Sequence, residues 1–545
     1  MTALLVLLAT SGACDVTEPD PERRTALLER YREVSAAIES KSLGTLVASG
    51  YRLFDAADED LRAAWESHFR TVAAYGPIEL TVTEVKEDGG DLVAVVDYRV
   101  FFRFEGDPSR HFEEGRSRDR WSNVGGAWRL VKREALSPPT GGRILPGKAP
   151  SSPRLLRLAE AVKAGGQAAI AEFWSERAGK GPLVEEIEKE PERLLVTFLW
   201  RDDGSTRRVE VRGGPFESSR EPFRRLPGTD VWFHAELLPR DSRYVYGLVV
   251  QKLVSLPGAT GAPGEQAVAE VHPPDPLNTR AFNGGPVLEL PEAPLPALIR
   301  RRQHVREGLV ERHETPSRAL GETRRVRVYV PAGADRAPPP EALAVFLDGE
   351  DCERLLSLPT VLDNLVDEGN LPRLVAVFVE SQRTRGRDLI FHDPFIDFLA
   401  DELIPWAAEK HRTTFRADRT VIAGASLGGL TAAYAAHRRP DRFGNVLSQS
   451  GAFWRRHPGH VDTPEGWLPG EAARSSPAGV RYYLEVGRFE SPAMIENNRR
   501  MRDVLRAKGL DVTYVEYSGG HDHVNWRVSL GRGLWLLLGR KGRQP

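Results

Sequence analysis

RTVIAGASLGGLTAAYAAH, residues 419–437, runs from a short apolar stretch through Gly424-Ala425-Ser426-Leu427-Gly428 into an alanine-rich stretch of helical composition. A bare G-x-S-x-G occurs by chance in a glycine-rich chain. Here a strand enters it and a helix leaves it, which is the setting in which a serine hydroxyl is presented at a helix N-terminus. Outward from this turn, 323–332, 343–351, 373–381, 443–451, 480–488 and 511–520 read as apolar strands, with helical patterns at 394–411 and 430–440. Strands alternating with helices predict a mainly parallel sheet covered on both faces. Reactive groups in such a layer sit at the carboxyl ends of the strands.

A serine hydroxyl needs a base to become a nucleophile. Among 13 histidines, His521 in Tyr517-Ser518-Gly519-Gly520-His521-Asp522-His523 sits in a glycine-rich loop after the last apolar strand. That position satisfies the chain order Ser, acid, His of α/β-hydrolases. His523, two places along an extended loop, is expected to point elsewhere. A metal site made of His521, Asp522 and His523 has no further ligand cluster behind it. The acid must come from VRYYLEVGRFESPAM (480–494), where Glu490 lies just beyond the strand and Glu485 within it. Glu490 is favoured and Glu485 stays open. The acid orients the imidazole without taking its proton. The oxyanion hole is expected from the backbone N–H of Leu427, next to the nucleophile, and of Glu350, after the LAVFLDG strand.

The remainder of the 545 residues exceeds what one core accommodates. Residues 22–136 carry helical spacing at 25–40 and 58–75, then three β-like runs at 78–88, 91–106 and 127–136. This reads as a small α+β unit that resembles the SnoaL-like cone fold, with no acid–base constellation and an expected binding or spacer role. Residues 137–153 are a Pro/Gly/Ser linker. Residues 154–255 hold a helix interrupted at Gly165 and Gly166, then short strands that suggest a β-sandwich. Residues 256–307 form a Pro-rich connector, and the hydrolase unit spans 308–541. A formal net charge of -2 argues against nucleic-acid binding. Of two cysteines, Cys352 follows an apolar strand and reads as a small buried hydrophobe. Residues 1–14, MTALLVLLATSGAC, contain an apolar run too short to span a bilayer, as in a secretory signal. Ser11-Gly12-Ala13-Cys14 resembles a bacterial lipobox, in which Cys14 is lipidated and tethers the chain to a membrane. Cleavage after Ala13 without lipidation is the competing reading. Both imply an exported protein of the periplasm or cell envelope.

Several ordered stretches together resemble the enterochelin (enterobactin) esterase family. They are Val196–Asp202, Arg225–Trp232, Asp275-Pro276-Leu277-Asn278, Leu347-Asp348-Gly349-Glu350, the serine turn, Phe443–Gly451, and Gly519-Gly520-His521-Asp522 with Trp526-Arg527. The resemblance covers residues 165–540. It implies a β-sandwich before an α/β-hydrolase, a serine carboxylesterase without cofactor or resident metal, and Ser426, His521 and Glu490 as its triad. Arg387-Asp388-Leu389 resembles the family's Arg-Glu-Leu segment beside the active site. Arg387, Trp526 and Arg527 are therefore candidate substrate-binding residues, and a ferric catecholate siderophore is the implied small-molecule ester. The apparent export signal and the added N-terminal unit keep two alternatives in view. One is a carbohydrate or feruloyl-type esterase of the envelope; the other is a non-catalytic envelope-binding lipoprotein.

Overall fold

The computed structural model describes residues 19–51, 62, 65, 66, 69, 72–104, 110–136, 140–144, 152–255, 266–333, 338–459, 466–475 and 477–539. The expected signal and Cys14, and most of the 137–153 linker, lie outside these residues. Among them, no helix is long and apolar enough to cross a membrane. The chain divides into two compact units, one of residues 1–146 with 462–465 and one formed by the rest.

In the first unit, helices Pro21–Glu39 and Leu43–Ser49 accompany five antiparallel strands. Asp20 caps the first helix by accepting from the Glu22 N–H. The strand Arg110–Val124 pairs with both Asp91–Phe104 and Ala127–Ala135. Its EEGRSRDR core is too charged to read as a strand from pattern alone. The helix expected at 58–75 falls largely outside the described residues, and its end, Val72–Tyr75, belongs to the strand Val72–Asp88, where β-branched and aromatic residues fit a pleated surface. The core closes around Leu27, Val34, Ile38, Leu92, Val96 and Trp121.

In the second unit, helices Pro153–Lys163 and Ala168–Arg177 are separated at Gly165, whose φ of +86° only glycine adopts readily. Two four-stranded antiparallel sheets follow. One is built on Arg193–Arg201 and Val231–Pro239, the other on Thr206–Gly213 and Gly247–Ser255. A third small sheet contains the short strand Arg243–Val245, paired with Gly285–Glu289.

The largest sheet of the described residues has eight strands: β1 (Leu309–Ser317), β2 (Glu322–Val330), β3 (Ala342–Leu347), β4 (Leu374–Val379), β5 (Thr420–Ala425), β6 (Asn445–Gln449), β7 (Arg481–Gly487) and β8 (Asp511–Tyr517). They lie in the order β1-β2-β4-β3-β5-β6-β7-β8. Pairing is antiparallel for β1–β2 and β2–β4 and parallel from β4 onward. The central strands β3 and β4 are buried at every residue, as sheets covered on both faces require. Three helices bear on the site: α1 (Leu427–Arg438), α2 (Pro492–Ala507) and α3 (His523–Leu538). One core layer joins α1 to one face through Leu430, Ala433 and Ile422; the other joins α3 through Leu530, Leu534 and Leu447. Cys352 is fully buried and unbridged, and burial pushes its thiol pKa up.

Candidate active site

β5 ends at Ala425 and α1 begins at Leu427, so Ser426 alone makes the turn, with φ 57° and ψ -119°. The turn needs glycines on both sides. A Cβ at Gly424 would lie 2.6 Å from the Gly428 carbonyl carbon, and one at Gly429 2.5 Å from Ser448 Oγ. The Ser426 N–H donates to the Gln449 carbonyl at 2.9 Å, and its own carbonyl accepts from the Ala452 N–H at 3.0 Å. These bonds fix the turn against the end of β6. Leu427 is the first helical residue, so its N–H lies among those an α-helix leaves without an intrahelical acceptor.

His521 sits in the loop between β8 and α3, and its Nδ1 lies 2.7 Å from Glu490 Oε2. Glu490 is buried, at 4% exposure, in the loop after β7. Its other oxygen accepts from the Gly487 N–H at 2.7 Å and from Ser450 Oγ at 2.5 Å. The Trp526 indole N–H donates toward Ser450 Oγ at 3.1 Å and the Tyr517 hydroxyl oxygen at 3.0 Å, and Tyr517 donates to the Gly520 carbonyl at 3.1 Å. The Trp526 ring meets the imidazole edge-on, with centroids 4.9 Å apart. Burial, reinforced by the neighbouring Glu490, holds the Tyr517 phenol well above its ordinary pKa, so it remains a donor. The 2.7 Å contact engages His521 Nδ1 with the buried Glu490 carboxylate, which fixes the orientation of the imidazole ring.

Ser426 and His521 line one cavity of about 300 Å³, with Leu356, Trp526 and Leu530 on its apolar side. Its polar side carries Asp348, Asp351, Arg385 and His523. Arg385 bonds Asp348 through two nitrogens at 2.7 Å each, and Asp348 adopts a left-handed φ of 56° at the end of β3.

The other expected site residues fall as follows. Glu485 is fully buried, accepts from Gln449 Nε2, Ser529 Oγ and the Tyr483 hydroxyl, and is held above its usual pKa by burial. Of the two glutamates, the one hydrogen-bonded to His521 is Glu490. Glu350 lies in the first turn of the short helix Gly349–Arg354, its carboxylate accepting from the Ser381 N–H at 3.1 Å. Arg387 does not line the cavity: it is held by Glu322 at 2.7 Å and Asp388 at 2.8 Å, and Arg385 is the arginine that reaches the site. Arg527 does not line it either, its guanidinium lying 4.6 Å from the centre of the Phe282 ring. Trp526 does. His523, expected to point away, lines the same cavity because Asp522 caps α3 and the chain turns helical at 523; its Nε2 lies 3.5 Å from Asp351. Sequence reasoning missed Ser450 and Tyr517. Both stand in quoted motifs, but neither spacing nor residue type marks a hydroxyl as support for an acid.

A putative esterase family model matches residues 317–536, and the model of the enterochelin esterase N-terminal domain matches 195–298. The chain is 32% identical over 414 residues to the iron(III) enterobactin esterase of Dickeya dadantii, covering 68% of this chain and 94% of that protein. It is 30% identical to the iron(III) enterobactin esterase of Escherichia coli K12, covering 63% and 91%. Among solved structures, the ferric enterobactin esterase of Salmonella typhimurium superimposes with a TM-score of 0.56 at 29% identity, covering 67% of this chain and 98% of that one. The enterobactin esterase of Shigella flexneri, crystallised in the presence of enterobactin, gives 0.52 at 28%, covering 67% and 97%. With a serine at the strand–helix turn, a histidine bonded to a buried carboxylate lining the same cavity and both matched domains in order, the chain belongs to the enterochelin (enterobactin) esterase family and is a serine carboxylesterase.

Proposed function

We propose that the chain hydrolyses the ester bonds of a ferric catecholate siderophore by acyl transfer through Ser426. The observation that carries the chemistry is the 2.7 Å contact between His521 Nδ1 and buried Glu490, with Ser426 and His521 lining the same cavity. The names of the relatives supply the substrate class. His521 Nε2 takes the Ser426 proton as Oγ bonds to the ester carbonyl carbon, and the N–H groups of Leu427 and Glu350 receive the oxyanion. The imidazolium, stabilised by Glu490, then returns the proton to the departing alcohol. Water, deprotonated by His521, cleaves the acyl-enzyme and restores the serine. Iron enters and leaves as part of the substrate. Within this reading residues 1–14 are an export signal with Cys14 as lipidation site, and the N-terminal unit is a SnoaL-like cone; sequence pattern supports both.

The test compares wild type with Ser426→Ala on a short-chain aryl ester, then wild type on iron-loaded and iron-free catechol triesters and acylated sugars. Ser426→Ala is expected to lose about 10⁴-fold or more in turnover while remaining folded. Undiminished hydrolysis by that variant would remove the nucleophile. Preference for acylated sugars would keep the mechanism and reject the siderophore.

A further inference from the structure

The short strand Arg243–Val245, which belongs to the β-sandwich region, touches the loop that carries the base at three points. The Arg243 N–H donates to the Ser518 carbonyl at 3.0 Å. The Arg243 carbonyl accepts from Asn525 Nδ2 at 2.8 Å. The Val245 N–H donates to Asp522 Oδ2 at 3.2 Å. Residues 518, 522 and 525 bracket His521, so the base hangs from a segment fastened at both ends to another domain.

The contact is tight and extends to the acid. A Cβ at Gly519 would lie 2.7 Å from the Arg243 carbonyl oxygen, so the loop lies directly against the strand. The Tyr244 ring meets Phe489, the neighbour of Glu490, edge-on with centroids 5.7 Å apart. Arg243 is itself buried and paired with Glu289 at 2.8 Å on the adjoining strand. The strand is thus held rigidly from behind.

We propose that the domain preceding the eight-stranded sheet is part of the catalytic apparatus, its strand Arg243–Val245 fixing His521 through Asp522, which acts as a positioning residue. The proposal rests on the reading of Ser426 and His521 as nucleophile and base. Asp522 has two separable jobs. Oδ1 accepts from the Asn525 N–H at 3.2 Å and from Asn525 Nδ2 at 3.0 Å and caps α3, whereas Oδ2 faces the sandwich. A capping oxygen is supplied equally well by asparagine. Asp522→Asn keeps the cap and turns an N–H₂ toward the Val245 N–H, so donor faces donor and the Asp522 contact to the strand is lost while those of Ser518 and Asn525 remain. Asp522→Ser keeps a cap and is too short to reach Val245.

The test uses the full chain. Wild type, D522N and D522S are compared for kcat and KM on an aryl ester, for the rate of fluorophosphonate labelling at Ser426, and for melting temperature. We expect kcat and labelling rate to fall on the order of ten- to a hundredfold in both variants, the size that small misplacements of a catalytic group produce. KM should be unchanged, and the melting temperature should stay within about 4 °C of wild type. Wild-type kcat in both variants, or a kcat loss that only follows the unfolded fraction, would overturn the proposal. Wild type labelled at Ser426 with D522N labelled equally fast removes this inference alone; wild type unlabelled at Ser426 removes the nucleophile reading and the inference together.

Discussion

Ser426 holds a backbone conformation that an L residue seldom adopts, with φ at 57° and ψ at -119°. Such strain costs on the order of 1–3 kcal/mol and persists only where the surroundings impose it. Here the bonds to Gln449 and Ala452 impose it. Ser426→Gly relieves the strain that Ser426→Ala retains. Both variants should be inactive, with the glycine variant more stable by about 1 kcal/mol in urea unfolding. The two glutamates of β7 and its loop separate in the same way. Glu490→Gln leaves His521 without its anionic partner and should lower kcat by about 10³–10⁴-fold. Glu485→Gln alters the acceptor of Gln449, which lines the cavity, while the His521–Glu490 bond stays in place, and it should keep activity. Its effect is on stability: burial raises the Glu485 pKa above the ordinary 4.5. The stability it contributes is therefore complete below that value and is lost as pH rises through the raised one. Glutamine does not ionise, so E485Q should lose less stability than wild type between pH 4.5 and pH 8 in paired urea melts. An equal pH slope in the two proteins would contradict the burial argument.

At the level of elements, the turn between β5 and α1 is built on contact between backbones. The space that a Cβ at Gly424 would need is filled by Gly428. Gly424→Ala must push α1 off the sheet, and overpacking of this kind costs about 1–3 kcal/mol. Because Ser426 lies between the two glycines, the variant should lose activity as well as stability, which one thermal melt and one aryl-ester assay would show. This element was legible from sequence because its glycines, its serine and its flanking apolar run all carry local meaning. The parallel strands were legible too, each being an uninterrupted apolar run such as LAVFL or LVAVFV. What escaped was of a different kind. Edge strand β1 reads LVERHETPS, with six of its nine residues polar, since an edge strand has less surface to bury. Ser450 serves Glu490 across 40 residues of sequence, and Arg385 is held at the cavity by Asp348 while Glu322 on β2 and Asp388 hold Arg387. Such pairings are set by which strands become neighbours, and no local pattern encodes that.

For the molecule as a whole, the question is how much chain the chemistry needs. The first unit has a core of its own around Leu27, Ile38 and Trp121. The hydrogen bonds described at the site, from Arg243 to Trp526, all have both partners in the second unit. Both family matches also begin after residue 194. Removing residues 1–146 should therefore leave kcat/KM on an aryl ester within about threefold of the full chain, as expected where a unit with its own core is detached. Cutting further, to residue 308, should behave differently. It removes Arg243–Val245, takes away the strand's donors to the Ser518 carbonyl and to Asp522 Oδ2, and bares the Phe489 side of the acid loop. Water satisfies the uncovered polar groups but does not hold the loop in place, and the apolar contact of Phe489 with Tyr244 is lost. That fragment should be both less stable and nearly inactive, even though Ser426, His521 and Glu490 are all retained. Measuring the two truncations side by side separates a dispensable neighbour from a structural part of the site. A hundredfold loss on removing residues 1–146 alone would place the first unit inside the working enzyme.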